Sequence, residues 1–219
     1  MSAYFITGTD TEVGKTFVTC ALLHAYAAIG HRAAGMKPVA AGVDAAGCNE
    51  DVEALVAAST VAAPREYVSP YVFASPIAPH IAAAEEGRSI RFAPIHLALA
   101  GLQPLADTVL VEGVGGFRVP LGLEGDSADL AQTLGLPVIL VVGLRLGCIS
   151  HALLTVEAIE ARGLRLAGWV ANRVDSQMER AEDNVAAIAE RVSAPLLGIL
   201  PWFETTDAKS AARLLRLPQ

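Results

Sequence analysis

Apolar positions along this chain follow two periods that alternate from end to end. Short unbroken runs at 4–6, 33–36, 108–111, 137–142, 166–170 and 195–200 read as strands covered on both faces. Between them, apolar residues recur at helical spacing: Val18, Leu22, Ala25 and Ile29; Ile95, Leu99 and Leu102; Leu153, Val156 and Ile159. Further helices are predicted over 49–56, 81–86, 126–134 and 178–192, with a last one from about 207. Asn49 supplies a cap, the stretch from Asp126 opens a helix, and Gly87 and Gly135 supply stops. Residues 64–80 carry Pro64, Pro70, Pro76 and Pro79 and read as a loop crossing the surface. Strands alternating with helices, with no repeat and no break in composition, predict one α/β domain over 1–219. It is a doubly wound, mostly parallel sheet of six or seven strands with helices on both faces.

The turn after the first strand changes the picture from fold to chemistry. Gly8-Thr9-Asp10-Thr11-Glu12-Val13-Gly14-Lys15-Thr16 joins a strand to a helix and ends in Gly-Lys-Thr, the context of a phosphate-binding loop. The spacing is a variant: Thr9 holds the usual first-glycine position, and Gly8 lies one residue upstream. A helix N-terminus offers free N–H groups and the positive end of its dipole to a polyphosphate. Lys15 is placed for the terminal phosphates and the Thr16 hydroxyl for Mg²⁺. Glu112 closes the apolar run 108–111 and is followed by Gly113-Val114-Gly115-Gly116, which reads as the second half of a nucleotide–magnesium site.

Other residues stay open at this level. Lys37 ends the second strand, where open α/β sheets place ligands, but a solvated lysine fits there too. Asp51 sits with Glu50 and Glu53 in the first turn after Asn49. It reads as complementing the helix dipole or, less readily, as a metal ligand. Lys15, Lys37, Glu112 and Asn172 all fall at or just past strand C-terminal ends, and that convergence marks the active site.

Composition narrows the remaining classes. The chain is 53% hydrophobic, yet no run approaches a membrane span. Met1-Ser2-Ala3 leads straight into the first strand, so no signal peptide is expected. Three cysteines without a CxxC pair point to a reducing cytoplasm. A net charge of −7 with no basic stripe argues against nucleic acid, and five scattered histidines argue against zinc.

Taken together, the phosphate loop, Lys37-Pro38-Val39, the run 111–116, the run 137–143, Leu146-Gly147-Cys148-Ile149, Gly168-Trp169-Val170-Ala171-Asn172 and Leu200-Pro201-Trp202 closely resemble the dethiobiotin synthetases. These stretches span nearly the whole chain, and the loop with Lys37-Pro38 and 146–149 is specific. The resemblance implies a P-loop NTPase-like fold and a ligase reaction in which 7,8-diaminononanoate, CO₂ and MgATP give dethiobiotin, ADP and phosphate. It implies a carbamate on one amine, its phosphorylation to a carbamic–phosphoric anhydride, and ring closure by the second amine. It assigns catalysis to Lys15, Lys37 and Thr11, and Mg²⁺ to Thr16, Asp51 and Glu112. Nucleotide binding falls to Glu12, Val13, Gly14, Lys15, Thr16, Phe17, Asp51, Glu112, Gly113, Val114, Gly115, Asn172, Arg173, Pro201, Trp202 and Phe203. Within that set, Asn172 is expected to meet adenine's edge. Substrate contacts fall to Thr11, Lys37, Ala41, Gly147, Cys148, Ile149 and Ser150, with 147–150 supplied by a second subunit of a homodimer with shared sites. In that arrangement Ser150 is expected to cap its helix or touch the substrate carboxylate, with Arg145 attracting it from further away.

The chain departs from the family at three points: Ala41 stands where serine is common, Arg145 for lysine and Ser150 for asparagine. Loss of one neutral hydrogen bond at Ala41 weakens binding by roughly 0.5–1.5 kcal/mol without removing activity. Cys20 and Cys148 read as small packed side chains. Two other classes share such a loop. A cobyrinate amidotransferase adds a glutaminase domain for which 219 residues leave no space. A partitioning or cell-division switch ATPase adds a basic or amphipathic element, for which only the short segment 209–219 is available.

Overall fold

The first strand already shows how the sheet divides its neighbours. In β1 (Ser2–Gly8), Tyr4 and Ile6 face one way and Phe5 the other, the alternation a pleated strand imposes. The computed structural model describes residues 2–205 and 207–218; Met1 of the N-terminal run, Thr206, and Gln219 of the C-terminal segment lie outside the described residues. The chain continues through α1 (Lys15–Ala28), β2 (Ala33–Met36), β3 (Val39–Ala41), α2 (Glu50–Ala58), α3 (Arg65–Val68), β4 (Tyr71–Phe73), α4 (Pro79–Glu85) and α5 (Phe92–Leu102). It then forms β5 (Thr108–Gly116), β6 (Pro120–Gly122), β7 (Gly125–Asp126), α6 (Ser127–Leu134) and β8 (Val138–Leu144). The last elements are α7 (Cys148–Ala161), β9 (Leu166–Arg173), α8 (Ala181–Ala189), β10 (Leu196–Leu200) and α9 (Ala208–Ala212).

Six strands form one parallel sheet in the order β10-β9-β8-β1-β5-β2. On one face Tyr4, Ile6, Leu110, Ile139, Val141 and Val170 pack with Val18, Leu22 and Leu23 of α1 and Ala211 of α9. On the other, Phe5, Val109 and Val111 meet Ile95, Leu99 and Leu102 of α5, while Leu140, Val142 and Trp169 meet Val156 of α7 and Val185 and Ile188 of α8. Each fully buried aliphatic or aromatic side chain contributes about 1.5–3 kcal/mol relative to exposure, which is why the strands read as unbroken apolar runs. The doubly wound sheet expected from the pattern is therefore the one observed.

Three differences from expectation shape the site. β5 does not stop at Val111 but runs through Glu112 to Gly116, because Ile6 pairs with Glu112 and Gly8 with Gly116. Segment 64–80 is not one loop: Pro64, Pro70 and Pro79 stand at element boundaries, and β4 pairs in parallel with β3. Three-residue strands show no readable period, so proline content outweighed them. Residues 120–126 fold as a small antiparallel hairpin that no run announced.

Asn49 caps α2 as expected. Its Oδ1 accepts the Val52 N–H at 3.1 Å, and its Nδ2 donates to the Gly42 carbonyl at 2.6 Å. This one side chain fixes both the start of α2 and the loop after β3, and so sets where Asp51 points. Asn49→Ala should cost about 1 kcal/mol of cap energy, lowering Tm by about 2–4 °C in a domain of this size. Asn49→Asp keeps the cap and should recover part of that loss in the same thermal melts.

Candidate active site

The phosphate loop hands over to α1 at Gly14, whose φ of +81° is left-handed and suits glycine. A Cβ there would stand 2.2 Å from Asn172 Nδ2, so glycine is required on steric grounds as well. α1 begins at Lys15, and its first turn presents unpaired N–H groups toward the loop. Glu12 also has a left-handed backbone, φ 59°, which a non-glycine residue adopts only where its surroundings hold it.

Below the loop lies a compact cluster of charge. Glu112 is 0% exposed on β5, and its Oε1 accepts from Lys37 Nζ at 2.6 Å. The same ammonium donates to Asp51 Oδ2 at 2.8 Å. Thr16 Oγ1 lies 2.7 Å from both Asp51 Oδ1 and Glu112 Oε1; its single proton serves one carboxylate at a time. Burial works against the Lys37 ammonium, but Glu112 and Asp51 outweigh it and hold its pKa above the usual lysine value. For Asp51, burial favours the neutral acid, yet Lys37 and the Thr16 hydroxyl bring its pKa below the ordinary value. Lys15 is pushed the other way: burial first, and repulsion from Lys37 second, lower it to about 8. In this state its ammonium donates to the Asp10 carbonyl at 3.0 Å.

Asp51, which the residues alone left as a dipole-complementing acid, thus joins Thr16 and Glu112 around one point, and Lys37 is a buried cation, not a solvated one. Glu112 Oε2 is buried with no hydrogen-bond partner among the described residues, an acceptor left free inside the cluster. Three hard oxygen donors with a spare carboxylate oxygen match the chemistry of Mg²⁺.

A cleft of about 700 Å³ opens above this cluster. Thr11, Glu12, Gly14, Lys15, Thr16, Lys37, Ala41, Asp51, Val114 and Gly115 of the expected set all line it. Pro76, Ile77, Ala78, Pro79 and Val119 line it too, and sequence reasoning missed them. The signal available was Ile77 flanked by Pro76 and Pro79, an apolar residue held in a rigid turn just before a helix.

Several expected residues also make contacts of their own within the chain. Val13 is buried and its carbonyl accepts Asn172 Nδ2 at 2.9 Å, so one proton of that amide holds the loop. At Gly113 a Cβ would meet the Phe5 ring at 3.0 Å, so close packing against β1 also calls for glycine there. Arg173 folds over the segment after β9, donating to the Met178 carbonyl at 3.0 Å, and lines a separate small cavity with Pro201. Phe17 and Phe203 meet edge-to-face at 5.4 Å, with Trp202 half-exposed beside them.

None of residues 147–150 lines this chain's own cleft. α7 is capped by Gly147 at φ 95°, and Ser150 is an exposed residue of its first turn, so Ser150 is not the helix cap. Arg145 is ion-paired with Asp10 and therefore does not act as a free long-range cation. Cys20 and Cys148 are buried, as their packing reading requires. Burial, then Glu112 and Asp51, push the Cys20 thiol up to about 12.

A family model described as AAA domain matches residues 2–210. The ATP-dependent dethiobiotin synthetase BioD of Aromatoleum aromaticum is 59% identical over 219 residues, 99% of this chain and 97% of that one. The protein of the same name from Nitrosospira multiformis is 55% identical over 212 residues, 97% and 93% of the two chains. Among solved structures, a chain of the MinC:MinD cell division protein complex of Aquifex aeolicus aligns with a TM-score of 0.58 at 16% identity, covering 97% of this chain and 86% of that one. The signal recognition particle receptor FtsY of Elizabethkingia anophelis aligns at 0.51 and 18%, covering 100% and 60%. At such identity these two show a shared fold alone. Identity above one half along the whole length is a different matter, and on it the chain belongs to the ATP-dependent dethiobiotin synthetases.

Proposed function

We propose that this chain, as one domain over 1–219, closes the ureido ring of dethiobiotin from 7,8-diaminononanoate, CO₂ and ATP, the ring-closing step of biotin biosynthesis. The observation that carries the reading is the cluster of Lys15, Lys37, Asp51, Glu112 and Thr16 on a phosphate loop, in a chain 59% identical over its length to a named synthetase.

One amine of the diamine takes up CO₂ as a carbamate and loses a proton. A carbamate oxygen attacks the γ-phosphorus, and the bond to ADP breaks. The second amine then attacks the carbamoyl carbon, releasing phosphate and a proton as the ring closes. Negative charge gathers on both partners of the phosphoryl transfer, so catalysis is mostly positioning and neutralisation. Lys15 and the N–H groups of the first turn of α1 receive the β- and γ-phosphates. Lys37, held by two carboxylates, presents a fixed cation between phosphate and carbamate. Thr11 and Glu12 stand over the cleft where nucleotide and carbamate meet. Thr16, Asp51 and Glu112 would hold Mg²⁺, which supplies charge neutralisation on the phosphates. Val114, Val119 and Ile77 offer an apolar wall for the aliphatic chain of the diamine. Phe17, Phe203 and the residues around Pro201 and Trp202 would flank the base.

A homodimer with shared sites accounts for residues 147–150 lying outside this chain's cleft. It also accounts for α7 and the turn before it, where Leu146 and Leu154 are 95% and 62% exposed. The N-terminus of α7 would then receive the far carboxylate of a diamine in the partner's cleft. The free cysteines and the metabolic substrates fit a cytoplasmic enzyme, and among the described residues no helix is long and apolar enough to cross a membrane.

With diamine, bicarbonate and MgATP, mass spectrometry should detect dethiobiotin in step with ADP; full ATP turnover without diamine and with no cyclic urea overturns the reading. Lys15→Met and Lys37→Met should each lower kcat roughly 100- to 1,000-fold. They should separate in binding, Lys15→Met raising the Kd for ATP and Lys37→Met acting on the diamine half. Near-normal kcat/KM for the diamine in Lys37→Met would remove that assignment. Sedimentation at assay concentration should show a dimer, and a carboxamide analogue of the diamine should raise KM strongly with ATP affinity unchanged. An active monomer would end the shared-site arrangement.

A further inference from the structure

Arg145 stands one residue beyond β8, and its guanidinium is ion-paired with the side chain of Asp10 in the phosphate loop. Asp10 also accepts two hydrogen bonds inside that loop. Its Oδ1 accepts the Thr11 N–H at 2.8 Å, and its backbone carbonyl accepts Lys15 Nζ at 3.0 Å. One residue thus sets the resting place of the loop's cation and of the amide beside it. The loop is held at other points by backbone and packing. Thr9 N–H donates to the Val141 carbonyl at 3.0 Å, Val13 packs on Gly143, and the Val13 carbonyl accepts Asn172. The apex from Asp10 to Glu12 lies between these anchors, and Glu12 carries the left-handed backbone that needs support.

We propose that Arg145 is a positioning residue for the phosphate loop, acting through Asp10. The inference rests on the reading of this loop as the ATP site. By holding one Asp10 oxygen from the end of β8, Arg145 leaves the other aimed at Thr11 N–H and keeps the Asp10 carbonyl turned toward Lys15. The pair is half-exposed, 37% and 47% for the two side chains, so it adds little to folding stability. The value of a cation here is direction: it holds a carboxylate whose angle decides where two phosphate-binding donors wait. Simple attraction of the nucleotide is a poorer account, since the Asp10 carboxylate cancels the charge locally.

A double-mutant cycle on the full chain tests this. Asp10→Asn keeps an oxygen for Thr11 N–H and removes the anion; Arg145→Gln removes the cation. ATP affinity is read by calorimetry without diamine, so it remains informative even if no dethiobiotin forms and the proposed function falls. Each single variant should weaken ATP binding about three- to tenfold, the size of coupling between contacting charged groups. The double variant should be no weaker than the weaker single, Arg145→Lys should recover most of the affinity, and Tm should stay level. In turnover, KM for ATP should rise while KM for the diamine holds. Unchanged ATP affinity in Arg145→Gln would reduce the pair to a surface contact, and multiplying effects in the double variant would mean that Arg145 does not act through Asp10.

Discussion

A carboxylate with no exposed surface lies in the sheet, and the site is arranged around it. Glu112 sits on β5 between β1 and β2, opposite Ile6 and one residue beyond the Val111–Met36 pair. An isolated buried carboxylate costs several kcal/mol, and it persists only where a cation and hydrogen bonds compensate it. Lys37 follows directly from β2 and supplies the cation; Thr16 follows the phosphate loop from β1 and supplies the hydroxyl. Three adjacent strands therefore meet at one electrostatic point. A slip in register of any of them would strand a charge in the core.

The two lysines of that point are held in opposite conditions. Lys37 has two carboxylates and stays charged despite burial, whereas Lys15 donates to a backbone carbonyl and is pushed down to about 8, by burial first and Lys37 second. A polyphosphate would relieve the second without disturbing the first. This is preorganisation in a physical sense: the fixed cation is stabilised by the protein, and the receiving cation is left short of partners. Asn172 and Gly14 complete it sterically, since the amide that holds Val13 occupies the space where any side chain at 14 would go.

The expected residues that changed role did so for one reason: neighbours distant in sequence claimed them. Ser150 reads as a cap until Gly147 takes the turn. Pro76 to Pro79 read as a surface crossing until β4 pairs with β3 and brings that segment over the cleft.

Local order was legible wherever the physics is local. Backbone periodicity marked the strands and most helices, Asn49 marked a cap, and nine consecutive residues from Gly8 to Thr16 marked a phosphate loop, because each depends on neighbours a few positions away. What tertiary structure decided are the pairings across long separations: Thr16 with Asp51 and Glu112, 35 and 96 residues apart, Asn172 with Val13, 159 apart, and Arg145 with Asp10, 135 apart. Asp51 shows the difference in one residue. In sequence it is an acid in the first turn of a helix, where the dipole explains it fully. Only the parallel packing of β1, β5 and β2, which brings the loop, Glu112 and Lys37 together beside α2, makes it part of one charged cluster, because a carboxylate's partners are chosen by distance in space and not along the chain.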